Sequence, residues 1–196
     1  MPALPDLPPR VFTEAQRHRV LNPVYEAPED LPPITAQRLR ELAAAIQDYD
    51  GEHLVVTDRL GHVRLRASGP IADPWTIALP GHAAEYRDGL FLHNHLVDSF
   101  SHRDVASAIT RNMYEMQATE VDGGRLFRLQ RPAEGWPRMS RAQVYNAYAQ
   151  SLADVRSVRQ PTRLDDAPGL QAWLRNAQHW TTEVLADRLG LRYSSK

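Results

Sequence analysis

The first regular pattern of apolar residues along the chain has the spacing of a helix. Within Ala36–Tyr49 the apolar positions on that spacing are Leu39, Leu42, Ala43 and Ile46. These positions share one face of a helix with about 3.6 residues per turn. Residues 1–33 instead hold eight of the fifteen prolines, a density that favours an extended arm. We therefore predict a proline-rich arm over residues 1–34, followed by a folded domain.

From residue 52 the pattern changes to that of β-strands. Glu52–Thr57 and His62–Ala67 flank the turn sequence Asp58–Gly61, and together they predict a β-hairpin. The apolar run Gly89–His93 has the length of a strand and is typical of one inside a sheet. Two weaker patterns predict a further strand over Trp75–Leu79 and a brief helix over His82–Tyr86.

Helices dominate the predicted second half of the chain. Ser101 is a suitable N-cap for a helix over His102–Met116. The segment Glu120–Leu129 predicts a closing hairpin with its turn at a Gly-Gly pair. After Pro132 the helical candidates are Arg141–Arg156 and Gly169–Leu189, the second followed by Gly190 as a C-cap. This order of elements predicts an α+β fold with a curved mixed sheet flanked by helices.

Composition narrows the classes of protein and of site. Apolar residues make up 42% of the 196-residue chain, enough to bury a core. The net charge is −1, so no long-range field attracts nucleic acid or an anionic membrane, and any basic patch must come from particular residues. Cysteine is absent, which excludes disulfides, thiolate nucleophiles and cysteine-bound zinc. Any metal ion must therefore be held by His, Asp, Glu or water.

Two further sequence features concern where the protein acts. We find neither an apolar run long enough to span a membrane nor the basic-then-apolar start of a signal peptide. We expect a cytoplasmic protein, or one delivered by a specialised secretion system. Of the 23 basic residues only Lys196 is a lysine. Codon bias in a GC-rich genome explains this scarcity, and so does selection against amine acceptors in a protein that meets ubiquitin-like modifiers.

The residues best suited to chemistry lie between positions 92 and 104. His93 and His95 are two residues apart on a strand, so both imidazoles point to one face and can reach one ion. Asp104 follows in the first turn of the next helix and can return to the strand end as a third ligand. Two imidazoles and one carboxylate leave a position open on a tetrahedral zinc ion, which is the arrangement of a catalytic site.

This order of motifs is similar to that of the JAB/MPN (JAMM) zinc metallopeptidases. The shared order is a strand with a glutamate, a hairpin, a strand ending His-x-His, Ser-x-x-Asp opening a helix, and a closing hairpin. The resemblance covers roughly Glu52 to Arg131, about two fifths of the chain. It is closest to a bacterial branch with an HNHP…FS..D pattern that occurs in phage-related and toxin proteins. It implies a JAB/MPN-like, cytidine-deaminase-like domain over residues 35–131, with a helical C-terminal extension over residues 132–196 packed on it.

The resemblance also implies a role for each residue of the motif. The Zn²⁺ ligands that it implies are His93, His95 and Asp104. It makes Ser101 the group that assists at the developing oxyanion and Glu52 the general base. This sequence departs from the family pattern at Leu96, which replaces a proline, and in a loop to the aspartate that is shorter by a residue or two.

Several of these residues have plainer alternatives. Ser101 and Asp104 match a capping box, which is compatible with a role in catalysis. Glu52 has a rival as base in Glu85, eight residues before His93. The histidines that we expect at the surface are His53, His62, His82 and His102.

The function that the resemblance implies is zinc-dependent hydrolysis of a peptide or isopeptide bond. The substrate would be a protein or peptide, including ubiquitin-like conjugates or effector-related substrates. The alternative is a non-catalytic MPN-like scaffold module of a phage or secretion system. The string His93-Asn94-His95 also suggests an HNH nuclease, but those enzymes disperse the three letters over a ββα unit and bind nucleic acid with basic surfaces. We expect neither a nucleic-acid partner nor a membrane partner.

Overall fold

The computed structural model describes residues 33–47, 51–69, 77, 79, 86–95, 99–120, 125–160 and 167–195. The predicted arm up to residue 32 and the predicted Gly-Gly turn lie outside these residues. Of the strand predicted over Trp75–Leu79 and the helix predicted over His82–Tyr86, only Ile77, Leu79 and Tyr86 are described.

Six strands of the described residues form one mixed sheet. They are β1 His53–Thr57, β2 Val63–Ser68, β3 Leu90–His95, β4 Glu115–Glu120, β5 Leu126–Gln130 and β6 Arg192–Ser195. Their order is β2-β1-β3-β4-β5-β6. Strands β3 and β4 run parallel, and the other neighbouring pairs are antiparallel. The predicted hairpins and the predicted inner strand are therefore present, whereas β6 was not predicted.

Four helices are described: α1 Pro33–Gln47, α2 His102–Thr110, α3 Arg141–Arg159 and α4 Ala167–Leu189. The prediction that the second of them reaches Met116 is wrong. The amides of Asn112 and Met113 donate to the carbonyls of Ile109 and Ala108, and Asn112 has a left-handed φ of 52°. This Schellman arrangement ends α2 and releases the following residues for β4. Helix α2 thus provides the crossover that a parallel pair of strands requires.

The side chains of β3 alternate between the two faces of the sheet, and helices cover both faces. Leu90 and Leu92 pack with Leu39 and Leu42 of α1 in one buried cluster. Phe91 belongs to a larger buried cluster that includes residues of α2, α3 and α4. We refer to these two sides as the α1 face and the α2 face of the sheet. The site described below lies on the α2 face.

The C-terminal elements contribute to the same core as the sheet. Val144 and Tyr148 of α3 and Leu185 of α4 are buried in the α2-face cluster, and β6 pairs with β5 at the edge of the sheet. The predicted α+β class with a mixed sheet is confirmed, while the JAB/MPN-like fold and the domain boundaries stay predictions. Among the described helices, none is both long enough and apolar enough to cross a membrane.

Candidate metal centre

Strand β3 ends in two histidines whose rings meet on the α2 face. The ring centroids of His93 and His95 are 4.5 Å apart. His93 is only 1% exposed and contacts the rings of Phe91 and Phe100. Among the described residues, neither of its ring nitrogens has a hydrogen-bond partner of ordinary geometry. Several other described residues have one buried side-chain atom of this kind, whereas in His93 both polar atoms are affected. A buried polar group left in this state is uncommon and points to an additional role.

The protonation of His93 suits a ligand. Burial is the main reason why the pKa of His93 is about 3 rather than the ordinary 6.5, and the neighbouring His95 lowers it further. Asp104 and the backbone of Gln117 act in the opposite direction. The imidazole is therefore neutral near pH 7 and has a lone pair to offer to a metal ion.

A hydrogen bond fixes which nitrogen of His95 faces the cluster. Nδ1 lies 2.7 Å from the carbonyl oxygen of Ser99. A carbonyl oxygen can only accept, so Nδ1 carries the proton and the neutral ring keeps a lone pair on Nε2. Nε2 lies 3.9 Å from Oε1 of Glu52 and 3.8 Å from Oδ2 of Asp104. His95 is thus oriented toward both carboxylates.

Asp104 reaches the cluster from the first turn of α2, where Ser101 is the N-cap. The amide of Ser101 donates to Oδ2 of Asp104 at 2.8 Å, and its hydroxyl donates to the same oxygen at 2.7 Å. The Ser101 hydroxyl also accepts from the amide of Asp104 at 3.4 Å, which completes a capping box. Burial favours a higher pKa for Asp104, but His93, His95 and the hydrogen bonds from Ser101 outweigh burial and lower the pKa below its ordinary value.

Asn94 holds the backbone on both sides of Glu52. Its Oδ1 accepts from the amide of His53 at 2.6 Å, and its Nδ2 donates to the carbonyl of Gly51 at 2.9 Å. Because side chains alternate along a strand, Asn94 extends to the α1 face while its two histidine neighbours extend to the α2 face. Glu52 is thereby fixed immediately before β1, with its carboxylate beside His95.

The four side chains together form one cluster of donor atoms. One donor atom from each of Glu52, His93, His95 and Asp104 lies within 4.8 Å of the other three. Donors around a tetrahedral zinc ion are about 3.4 Å apart, so small side-chain movements would bring these atoms onto one ion. An ion would also give the buried ring of His93 a partner of good geometry, which it lacks among the described residues. These residues fit a metal ion and could hold one.

The C-terminal elements support the cluster through Ser99. Oγ of Ser99 lies 2.8 Å from the hydroxyl of Tyr193 in β6, and that hydroxyl lies 2.8 Å from Nδ1 of His179 in α4. Nε2 of His179 is in turn 3.6 Å from Oε1 of Glu183. Since the carbonyl of Ser99 orients His95, this chain of contacts connects β6 and α4 to one member of the cluster.

The structure brings together the three predicted ligands and the predicted base, and their roles stay predictions. The hydroxyl of Ser101, the predicted oxyanion helper, bonds Asp104. The predicted exposure of His62 is confirmed, whereas His53 and His102 are half-buried, and none of the three belongs to the cluster. Glu85, the rival base, lies outside the described residues, as do His82 and Leu96.

Sequence reasoning missed the residues that position the cluster. Asn94 contacts residues 41 and 43 positions away in the sequence. Tyr193 contacts Ser99, which is 94 positions away, and Ser99 orients His95 through its backbone carbonyl. No spacing rule indicates such contacts. The one available signal was Asn94 itself, because an amide on a buried strand requires partners for both of its polar atoms.

Comparisons with known proteins identify no relative of this chain. No model of a protein family matches it, and neither the curated proteins nor the solved structures contain a match.

Proposed function

We propose that this protein is a zinc-dependent hydrolase that cleaves a peptide or isopeptide bond. The observation that carries the proposal is the convergence of Glu52, His95 and Asp104 on the buried ring of His93. The nitrogens of that ring have no hydrogen-bond partner of ordinary geometry among the described residues. Two imidazoles with carboxylates suit Zn²⁺, whereas Ca²⁺ and Mg²⁺ prefer ligands that are all oxygen. The resemblance to the JAB/MPN metallopeptidases supplies the reaction class.

Each residue of the cluster has a separate task in this reaction. His93, His95 and Asp104 would hold the ion. When bound, the ion supplies positive charge that polarises a carbonyl oxygen and lowers the pKa of water. Glu52 takes the proton of the attacking water and passes it to the leaving amine. Ser101 orients Asp104, and it can donate to an oxyanion only when its hydroxyl leaves that carboxylate.

A non-catalytic metal-binding scaffold, such as a module of a phage or secretion system, is the second candidate. One observation favours it: Glu52 lies within the same 4.8 Å of the other donors, and it is 3.9 Å from Nε2 of His95, against 3.8 Å for Asp104. Four protein donors close the shell of a tetrahedral zinc ion, as in structural sites, whereas catalytic sites keep one position open. The two candidates therefore differ in what Glu52 does.

The variant Glu52→Gln separates the two candidates, because glutamine keeps the size of the side chain and removes its basicity. If Glu52 is the base, zinc affinity is retained and the hydrolysis rate falls about 100-fold or more. Zinc affinity is measured by competition with a chelating dye, and hydrolysis by mass spectrometry on a mixture of peptides and lysine-linked isopeptides.

The matched control is Glu134→Gln, at an exposed position outside the cluster, which should leave both quantities unchanged. A zinc-loaded wild type that cleaves nothing in the mixture contradicts the hydrolase. A Glu52→Gln protein that binds zinc much more weakly than wild type shows that Glu52 is a ligand, and it favours the scaffold.

A further inference from the structure

A cleft leads from the candidate metal centre along α2. Its volume is about 420 Å³, and Glu52 and Asp104 lie at its lining. Its apolar lining residues are Leu54, Ile77, Leu79 and Phe91, of which Leu54 and Phe91 are almost fully buried. A cleft of this size can hold the backbone of an extended peptide next to the metal centre.

Three arginines also line this cleft: Arg103 and Arg111 near the two ends of α2, and Arg141 at the start of α3. Within the described part of the chain, none of the three has a carboxylate partner. The guanidinium of Arg111 lies 4.3 Å from the centre of the Tyr86 ring, and its buried Nε has no hydrogen-bond partner among the described residues. The buried Nε is not accessible from the cleft, but the terminal nitrogens of this guanidinium also make no hydrogen bond within the described residues. A guanidinium held in place with such free terminal donors is suited to bind an anion.

Helix α2 sets the distance between the metal centre and the far arginine. Asp104, Ser107 and Arg111 all line the cleft, and their spacing of three and then four residues places them on one side of the helix. Seven residues at 1.5 Å per residue separate Asp104 from Arg111 by about 10 Å along the axis. That distance corresponds to roughly three residues of extended peptide.

We propose that this cleft binds a carboxylate of the substrate, two or three residues away from the bond that is cleaved. The inference rests on the proposed function, because the peptide backbone is placed by the metal centre. The cleft is lined by three arginines and by two carboxylates, those of Glu52 and Asp104. It therefore has a small excess of positive charge, although the chain as a whole has a net charge of −1. A carboxylate is the anion that a peptide carries, on a side chain or at its C-terminus, and arginine binds it through two parallel hydrogen bonds.

Hydroxamates that anchor on the zinc ion test the cleft without any turnover. Suberic acid monohydroxamate carries a zinc-binding group at one end and a carboxylate at the other, and its primary amide lacks the negative charge. We expect the zinc-loaded wild type to bind the carboxylate about tenfold more tightly than the amide in calorimetry. The shorter succinic pair should show a smaller preference, because its carboxylate does not reach Arg111.

The variants Arg111→Gln and Arg141→Gln should each lower this preference several-fold and leave the affinity for the amide unchanged. Arg141 is exposed, so its variant keeps the test valid if loss of the Arg111 contact with Tyr86 impairs folding. The matched control is Arg40→Gln. Arg40 is at an exposed position of α1, and helix α1 packs on the other face of the sheet. This control should keep the full preference.

The possible failures are distinguishable. If neither hydroxamate binds the zinc-loaded protein, the metal has no open position and the proposed function fails. If both bind equally, or if the preference survives in both cleft variants, the carboxylate site is wrong while the proposed function stands. Two peptide hydroxamates identify the source of the carboxylate. One has a free C-terminus, and the other has an amidated C-terminus and a glutamate. The one that binds more weakly to Arg141→Gln than to wild type carries the carboxylate that the cleft binds.

Discussion

Two neighbouring residues of β3 show opposite ways of burying a polar side chain. Asn94 is buried on the α1 face, and its amide bonds the backbone on both sides of Glu52. His93 is about as buried on the α2 face, but its two ring nitrogens have no hydrogen-bond partner of ordinary geometry among the described residues. The backbone of Gln117 only partly offsets the lowering of its pKa by burial. The two side chains leave the same strand, one residue apart.

The difference separates a residue that holds the fold from one that is available for chemistry. A paired buried amide contributes to stability, whereas an unpaired buried imidazole lowers it. Natural proteins keep such unfavourable groups mainly at functional sites. We infer that β3 uses its α1 face to fix the backbone around Glu52 and its α2 face to present metal ligands.

The largest expected effect is that of His93→Leu on metal binding. Zinc affinity should fall by more than about 100-fold, because a ligand is lost and ligand loss exceeds the effect of outer partners. In the absence of metal, the free energy of unfolding of this variant should equal that of wild type or exceed it by up to about 1 kcal/mol, because the substitution removes an unpaired polar group from the core. Chelator competition and urea unfolding in EDTA measure the two quantities. A large loss of metal-free stability would show that the ring of His93 is paired after all.

The same substitution at the neighbouring position should act in the opposite direction. Asn94→Leu removes two hydrogen bonds, the one that the amide of His53 donates and the one that the carbonyl of Gly51 accepts. We expect the free energy of unfolding of the metal-free protein to fall by about 2 to 4 kcal/mol. Urea unfolding in EDTA checks this value, and an effect equal to that of His93→Leu would remove the contrast between the two residues.

Acidification should also distinguish His93 in the metal-free protein. Its pKa is about 3 in the folded state against the ordinary 6.5, so the unfolded chain binds more protons between these values. Stability therefore falls as the pH falls through this window, by up to about 1.4 kcal/mol per pH unit. The free energy of unfolding of wild type, obtained from thermal unfolding in EDTA between about pH 7 and about pH 5, should fall with this slope. His93→Leu should show a shallower slope, and equal slopes would contradict the assignment.

The smallest expected effect concerns the outer support of His95. Tyr193→Phe removes the hydroxyl that contacts Ser99 and His179, while the carbonyl of Ser99 can still accept from His95. Zinc affinity should fall by a few-fold and by no more than about tenfold. The matched control is Tyr114→Phe. The hydroxyl of Tyr114 accepts from Gln130, and Tyr114 lies outside the cluster. Equal effects of the two variants on zinc affinity would exclude a specific role for Tyr193.

The elements that periodicity predicts are those that their own residues determine. The apolar stripe of α1 and the alternation in β2 are local patterns, and both elements form close to their predicted bounds. The end of α2 was misplaced because Asn112 turns the chain with a left-handed φ, although its neighbours continue the helical spacing. Strand β6 is short and partly exposed, and it forms by pairing with β5, so its own sequence carries little signal.

The site follows the same division. That His93 and His95 share one face follows from strand geometry, and Asp104 follows from its place in a capping box, so the sequence alone could bring these three together. The support for Glu52 and His95 could not be predicted, because it comes from Asn94 on the opposite face and from Tyr193 near the C-terminus.

We infer that the buried imidazole of His93, which has no hydrogen-bond partner of ordinary geometry among the described residues, belongs to a metal site. The most direct measurement is the zinc content of the purified protein, determined by elemental analysis after dialysis against a weak chelator. Our account predicts about one zinc ion per wild-type chain and almost none in His95→Ala. A wild type that holds no metal when zinc is supplied, or a His95→Ala protein that holds as much as wild type, would contradict it.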